Sequence, residues 1–180
     1  MSFPMKIIMI GDIKKAEILK FYGEIYKSDF TLIEGDFVFK IMNIGGNTFH
    51  FQVWQLSLDP SFRVERRRYY YGALGAIIIF DVLRLESFHY FPSWIKEIWR
   101  YNGLENYIPI VIVGVNTHER KTTGKHITDE EIHEFSSDMN RKHQAYITYI
   151  AVDERTGENI AQIWETLGKW YLKYLQRLES

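Results

Sequence analysis

The fold is decided by residues 49–88, which read FHFQVWQLSLDPSFRVERRRYYYGALGAIIIFDVLRLESF. Apolar and polar residues alternate over Phe49–Trp54, a pattern typical of a strand with one buried face. Ala76–Phe80 is apolar without interruption, as expected of a parallel strand that helices cover on both faces. A helical pattern follows at Phe88–Tyr101. The order of these patterns predicts an α/β fold.

The same alternation continues to both ends of the chain. Further strand patterns occur at Lys6–Ile10, Phe37–Ile44, Ile108–Val113 and Tyr146–Ala151, and further helical patterns at Ala16–Tyr26, Thr128–His143 and Asn159–Leu178. Gly45-Gly46-Asn47 joins two adjacent strands as a hairpin, which makes one strand pair antiparallel. We therefore expect a doubly wound, mainly parallel sheet of six strands with one antiparallel pair. With no linker or repeat in view, residues 1–180 are predicted to form one domain.

Composition excludes several classes of partner and site. The chain has 22 Lys and Arg against 23 Asp and Glu, so its overall charge predicts no nucleic-acid partner. It has no cysteine, which excludes disulfides, thiolate metal sites and a prenyl-cysteine anchor. The six histidines lack the paired spacing of zinc motifs, so no metal site is predicted. No signal peptide or bilayer-spanning apolar run is visible, and we expect a soluble cytoplasmic protein without a direct lipid anchor.

Residues 49–88 resemble, without gaps, the segment of Rab-type small GTPases of the Ras superfamily that runs from the third strand through switch II to the fourth strand. Lys6–Asp12 resembles the strand that leads into the P-loop, and Gly35-Asp36-Phe37 resembles the end of switch I. Thr156-Gly157-Glu158-Asn159 resembles the loop before the last helix of the family. The resemblance covers almost the whole chain and implies a P-loop G-domain fold.

The phosphate-binding motif of that family is degraded here. A P-loop reads G-x-x-x-x-G-K-[ST], in which lysine neutralises phosphate charge and the hydroxyl holds magnesium. In the ungapped register, Ala16, Glu17 and Ile18 occupy the last three positions, and Glu17 would repel phosphate. A shortened register would place Lys14 or Lys15 as the phosphate-binding lysine, still without the second glycine and the hydroxyl.

The magnesium and hydrolysis positions differ as well. The threonine of switch I corresponds to Leu32, with Thr31 one residue away. The D-x-x-G motif of switch II corresponds to Gln55 and Leu58, and the water-positioning glutamine corresponds to Asp59. The resemblance therefore implies little or no GTP hydrolysis, no catalytic residue and no bound magnesium.

The guanine-binding motif N-K-x-D leaves two registers open. Ungapped matching places His118 at the aspartate position, whereas a shift by one residue lets Asn116 and Glu119 imitate the asparagine and the acid. The S-A-K loop behind the base corresponds to Asp153-Glu154-Arg155, with a charged residue in place of a small one. In the shifted register, GTP or GDP would be held by Lys14, Lys15, Asn116 and Glu119.

A protein-binding surface is predicted at the two switches. The effector-binding aromatic residues of Rab proteins correspond to Phe37, Trp54 and Tyr69. Switch II adds a basic and aromatic cluster, and the full predicted set is Phe37, Trp54, Arg63, Arg66, Arg67, Arg68, Tyr69 and Tyr70. Arginine suits carboxylates and phosphates, and tyrosine gives contact area at a low cost in entropy. The alternatives are aromatic side chains that only fill space and a basic loop that is only solvated.

Two hypotheses of function follow from the resemblance. The first is a Rab-like pseudo-GTPase without a nucleotide cofactor, which binds proteins as a regulatory or vesicle-trafficking module. The second is a divergent GTPase switch that still binds guanine nucleotide.

Overall fold

The computed structural model describes residues 1–11, 18, 25–26, 37–103, 107–122 and 124–178. The strands are β1 (Ser2–Gly11), β2 (Ile25–Tyr26), β3 (Phe37–Ile44), β4 (Asn47–Gln55), β5 (Gly75–Asp81), β6 (Ile110–Val115) and β7 (Ile147–Ala151). The α-helices are α1 (Arg63–Tyr70), α2 (Leu85–Tyr101), α3 (Asp129–His143) and α4 (Ile160–Leu178). Short 3-10 helices occupy Pro60–Phe62 and Thr117–Thr122.

All described strands belong to one sheet, in the order β2-β3-β4-β1-β5-β6-β7. β1 pairs in parallel with β4 and β5, and the parallel pairing continues through β6 to β7. β3 is antiparallel to β4, as the hairpin predicted. The doubly wound, mainly parallel α/β fold is therefore confirmed, and each of the six predicted strands is present.

A short seventh strand extends this prediction. β2 pairs antiparallel with the start of β3, through Ile25 with Val38 and Tyr26 with Phe37. The predicted helix Ala16–Tyr26 is therefore wrong at its last two residues. Of the rest of that helix, Ile18 is helical and buried, and the other residues lie outside the described part of the chain.

The β3–β4 hairpin is formed by two glycines. Gly45 has φ +58° and Gly46 has φ +76°, the left-handed conformation that a two-residue type I′ turn needs at both central positions. The turn also fixes the strand register, which pairs Phe37 with Trp54 at the far end of the two strands. Side-chain alternation along β4 then buries Phe49 and Phe51 on one face of the sheet.

Two apolar layers cover the sheet, one on each face. On one face, α4 packs through Ile163, Trp164 and Leu167 against alternate residues of the central strands. On the other face, α1, α2 and α3 pack through Tyr70, Phe91, Ile95 and Ile132. Because β1, β5 and β6 lie between the two layers, their residues are buried on both sides, which explains their unbroken apolar runs.

Local signals placed some helices well and missed others. The predicted capping box is confirmed, since Thr128 accepts a hydrogen bond from the Glu131 amide and the Glu131 carboxylate accepts one from the Thr128 amide. α2 begins at Leu85, three residues before the predicted start at Phe88. α1 was not predicted as a helix.

Within the described part of the chain, no helix has both the length and the apolar character needed to cross a bilayer.

Candidate functional site

The predicted nucleotide motifs lie at one edge of the sheet. β1, β6 and β7 run parallel, so the segments that follow Gly11, Val115 and Ala151 share the carboxyl edge where α/β proteins bind ligands. Gly11 lies close to β5, because a Cβ atom built on it would be 2.4 Å from the backbone oxygen of Ile79. Lys14, Lys15 and Glu17 lie outside the described residues.

The loop after β6 is tied to the loop after β7 by two hydrogen bonds. The backbone N–H of Asn116 donates to Oε2 of Glu154 at 3.2 Å, and Oγ1 of Thr117 donates to the backbone oxygen of Val152 at 3.0 Å. Asn116 has φ +60°, in the left-handed region that asparagine tolerates better than most residues. We call these two segments, 116–119 and 153–155, the base loops, after the family motifs that they match.

The structure brings Asn116 and Glu119 together in one turn, as the shifted register requires. The Glu119 amide donates to the Asn116 backbone oxygen at 3.0 Å. The Glu119 side chain, however, lies beside its neighbour, with Oε1 3.3 Å from Nε2 of His118. The residues that were predicted to imitate the guanine motif are therefore adjacent, but the acid faces an imidazole.

Glu154 is the buried charged residue of the base loops, with 2% of its surface exposed. Its neighbour Asp153 forms a two-point ion pair with Arg155, through Nε to Oδ1 at 3.1 Å and Nη2 to Oδ2 at 2.8 Å. The hydrogen bond from Arg155 holds the pKa of the Asp153 carboxyl well below its usual range. The same bond, followed by the charges of Asp153, Glu154 and Glu119, raises the pKa of Arg155. Several carboxylates thus lie near one guanidinium.

The base loops also form a cluster of metal-ligating groups that sequence reasoning missed. One ligating atom from each of His118, Asp153 and Glu154 lies within 4.8 Å of the other two. Nδ1 of His118 is buried and has no hydrogen-bond partner in the described part of the chain. No short-range spacing could have shown this cluster, because its members follow two different strands.

At the switch II position, Arg66 is buried and joins three segments. Its Nε lies 3.0 Å from Oε1 of Glu97 on α2 and 3.0 Å from the hydroxyl of Tyr70, one turn along α1. Its Nη1 donates to the backbone oxygen of Ser57 at 2.7 Å. Ser57 belongs to the segment that matches D-x-x-G, so Arg66 fixes that segment against both helices.

Tyr70 completes this network. Its hydroxyl donates to Oε1 of Glu97 at 3.2 Å. Burial, and then the Glu97 charge, raise the pKa of Tyr70 above its usual range, so the hydroxyl keeps its proton and remains a donor. We call Arg66, Tyr70 and Glu97 the switch II anchor.

Two of the residues in the predicted partner surface are buried. Arg66 and Tyr70 were predicted to contact a partner, and this is corrected by their burial, with 4% and 1% of their surfaces exposed. Their place in the interior follows from helix geometry, since positions four apart on α1 share the face that packs on α2. Burial of an arginine was not predictable without knowing that Glu97 faces it.

The other predicted contact residues keep more exposure. Arg63 and Arg68 are exposed on α1. Arg67 is half-buried, with its guanidinium 4.8 Å from the centre of the Tyr101 ring. The remaining aromatic members lie together or pair across the hairpin: the rings of Trp54 and Tyr69 are 5.5 Å apart, and the backbone of Phe37 pairs with Trp54. The side chain of Phe37 lies outside the described part of the structure.

Asp59, at the position of the water-positioning glutamine, has a local structural contact. Its Oδ1 accepts hydrogen bonds from the backbone N–H of Ser61 at 2.8 Å and from the Ser61 hydroxyl at 2.6 Å. These bonds cap the 3-10 helix that leads into α1 and hold the pKa of Asp59 below its usual range. The Asp59 carboxylate therefore stabilises the turn before α1.

Comparison with known proteins shows which family the chain resembles. The model of the Ras family matches residues 6–173. Among curated relatives, the GTP-binding protein ypt1 of Schizosaccharomyces pombe is 26% identical over 174 residues, which cover 93% of this chain and 80% of ypt1.

Proposed function

Since this chain belongs to the Ras family, we propose that it serves as a Rab-like protein-binding module with little or no GTP hydrolysis. In this role it would act in regulation or trafficking, through the surface formed by switch I and switch II. The fold supplies the binding surface, and a bound nucleotide is not required to shape it.

The switch II anchor is the observation that carries this proposal. In nucleotide switches of this kind, contacts of the γ-phosphate and magnesium order the switch segments, and hydrolysis releases them. Here a buried arginine orders the switch II segment, because Arg66 contacts Ser57, Tyr70 and Glu97. A switch II segment held by buried side chains keeps one conformation whether or not a phosphate is present.

The nucleotide-facing positions support the same conclusion. Gln55 and Leu58 stand where the family has the magnesium-linked aspartate and the γ-phosphate-sensing glycine. At the other end of the sheet edge, the Glu154 carboxylate takes the N–H of Asn116 and adds negative charge to loops that would otherwise receive a base. Gln55 and Leu58 offer magnesium no carboxylate, and the charged Glu154 stands where the family has a small residue behind the base.

The exposed face of α1 gives the partner surface its chemistry. Arg63 and Arg68 present guanidinium groups, and Val64 and Tyr71 add exposed apolar area, with 64% and 70% of their surfaces accessible. Arginine and tyrosine are enriched where protein interfaces gain most of their free energy. A protein partner with carboxylates around an apolar patch would complement this surface.

Nucleotide content tests the proposal directly. The purified chain is denatured, and released nucleotide is quantified by ion-exchange chromatography beside a GTP-binding Ras-family protein prepared in parallel. Calorimetric titrations with GTP, GDP and ATP, with and without magnesium, follow. We expect neither released nucleotide nor binding heat from this chain. Release of about one guanine nucleotide per chain would overturn the proposal.

A divergent GTP switch is the second candidate. It is favoured by the similarity to ypt1, which is named a GTP-binding protein, and by the position of Asn116 and Glu119 in one turn. In this case GTP or GDP would contact Lys14 or Lys15 through its phosphates. If guanine nucleotide does bind, Glu119→Ala should abolish discrimination between GTP and ATP, whereas binding that survives this change would exclude the shifted register.

A further inference from the structure

The base loops carry a donor set that no nucleotide-binding role explains. We propose that His118, Asp153 and Glu154 bind one divalent transition-metal ion of the zinc type. This inference is independent of the proposed function, because metal binding at the base loops and nucleotide binding are measured separately.

The spacing of the donor atoms suits a metal after small side-chain rotations. The three ligating atoms lie within 4.8 Å of one another. Ligands of a tetrahedral zinc ion, each at about 2.1 Å from the metal, lie roughly 3.4 Å apart. The backbone that carries them is already fixed, since the Asn116 N–H and the Thr117 hydroxyl tie the two loops together.

His118 is oriented as metal-binding histidines usually are. A ligating imidazole most often donates its second ring N–H to a carboxylate, which fixes the ring and directs the other nitrogen at the metal. Nε2 of His118 lies 3.3 Å from Oε1 of Glu119, while Nδ1 is buried and has no partner among the described residues. With its proton on Nε2, His118 would keep the lone pair of Nδ1 available to a metal, and Glu119 would act as a positioning residue.

The charges of the base loops also favour a cation. Asp153, Glu154 and Glu119 all act electrostatically on Arg155, which is the cation that contacts Asp153. The base loops thus carry three carboxylates and one guanidinium. Glu154 is almost fully buried, where a carboxylate is stabilised by a pairing charge or a metal. A divalent cation at this site would offset part of this negative charge.

Arg155 occupies an oxygen of Asp153 that the metal would need. Oδ1 of Asp153 accepts from the amide of Arg155 at 2.9 Å and from its Nε at 3.1 Å, whereas Oδ2 accepts from Nη2 of Arg155 at 2.8 Å. The Arg155 side chain is 57% exposed, so it can rotate toward solvent. The metal would then replace Nη2 at Oδ2, while the amide still holds Oδ1.

The donor types select the class of ion. An imidazole with two carboxylates suits zinc and neighbouring transition metals, whereas magnesium and calcium prefer oxygen ligands alone. Three protein ligands leave a fourth tetrahedral position for water, as in zinc sites that are not closed by four side chains. The chain has no cysteine, so the site differs from the thiolate sites that fold small zinc domains.

Calorimetric titration of the tag-free, chelator-treated full chain with Zn²⁺ tests this inference. We expect about one Zn²⁺ per chain, with Mg²⁺ unable to compete. His118→Gln and Glu154→Gln should each weaken binding by at least about 100-fold, and Glu119→Gln by about 10-fold, in the range typical of groups that orient a ligand. His89→Gln removes an exposed histidine from α2 and should leave the affinity unchanged.

Histidine NMR of the unsubstituted chain keeps the test decisive if a variant fails to fold. Zn²⁺ should shift the His118 ring resonances at one equivalent and leave those of His89 in place, and Co²⁺ should broaden the same His118 signals. The inference is overturned if Zn²⁺ leaves His118 unshifted. It is overturned as well if His118→Gln binds as tightly as the unsubstituted chain, or if His89→Gln weakens binding equally.

Discussion

The switch II anchor and the base loops both place charged groups in protected positions, but they balance those charges differently. In the anchor, one guanidinium meets one carboxylate, and a tyrosine hydroxyl and a backbone carbonyl make further hydrogen bonds. In the base loops, three carboxylates act on one guanidinium. The anchor fixes two helices together, whereas the acid-rich base loops are the proposed site of a cation.

We therefore expect the anchor to stabilise the fold and the base loops to bind a ligand. Removing one member of a buried ion pair leaves an uncompensated charge in a medium that solvates it poorly. Removing one carboxylate from an acid-rich cluster relieves repulsion instead. Substitutions in the two regions should therefore change the free energy of unfolding in opposite directions.

The largest effect is expected at the anchor. Glu97→Ala should lower the free energy of unfolding by about 3–5 kcal/mol, because it leaves the Arg66 guanidinium buried without its carboxylate. Urea denaturation followed by tryptophan fluorescence measures this loss. Since the whole stability of a domain is about 5–15 kcal/mol, the variant should unfold at a much lower urea concentration than the unsubstituted chain.

The double variant Arg66→Met/Glu97→Leu is the matched control. It removes both charges while keeping apolar volume, so it should recover most of the stability that Glu97→Ala loses. If the double variant is as unstable as Glu97→Ala, the anchor acts through its hydrogen bonds to Ser57 and Tyr70 rather than through charge balance.

The base loops should respond in the opposite sense. Glu154→Gln keeps an oxygen that can accept the Asn116 N–H but removes a buried negative charge beside Asp153. In metal-free buffer, we expect the free energy of unfolding to rise by about 1 kcal/mol, because burial of the neutral amide is less costly. Thermal unfolding followed by circular dichroism measures the change. A loss of stability instead would mean that Arg155 already compensates Glu154.

The exposed charges on α1 can be compared with the buried charges of the anchor and of the base loops. Arg63→Glu/Arg68→Glu reverses two exposed charges that lie on the helix of the anchor. Surface substitutions usually change stability by no more than about 0.5 kcal/mol each, so the midpoint of urea denaturation should stay nearly the same. Proximity labelling in cells should nevertheless lose neighbours that the unsubstituted chain labels, because the proposed partner surface has changed sign. Retained neighbours would place the partner elsewhere.

Sequence patterns predicted the parts of this molecule that depend on local and periodic signals. The buried strand Ala76–Phe80, the hairpin at Gly45 and Gly46, and the capping box at Thr128 each depend on a few neighbouring residues. α1 escaped prediction because its anchor residues are polar. Arg66 and Tyr70 look like surface residues until Glu97, which comes from another helix, is placed against them.

The candidate sites were less predictable for the same reason. The match of Asp153-Glu154-Arg155 to a family motif identified the loop, but only the fold shows Glu154 buried against the Asn116 amide. The approach of His118 to two acids depends on the parallel register of β6 and β7, which carries the two base loops to one edge. The spacing of these residues along the chain does not predict that they come together.

The smallest effect is expected at Asp59, where a carboxylate caps the turn that precedes α1. The folded-state pKa of Asp59 lies below its unfolded value of about 3.9, mainly because of the hydrogen bond from Ser61. A depressed pKa contributes stability above the unfolded pKa, and this contribution is lost as the pH falls through the folded pKa. Asp59→Asn should therefore be slightly less stable than the unsubstituted chain at neutral pH.

That small difference should disappear in acid, where both chains carry a neutral group at this position. Urea denaturation of both chains from pH 7 down to the acid limit of the fold would show the two stability curves converging below about pH 4. A difference that persists unchanged in acid would mean that the Asp59 charge contributes nothing and that the cap depends on shape alone. Convergence of the curves would mean instead that the charge of Asp59 supports the start of α1, which begins at Arg63 directly after this turn and carries Arg66 and Tyr70 of the switch II anchor.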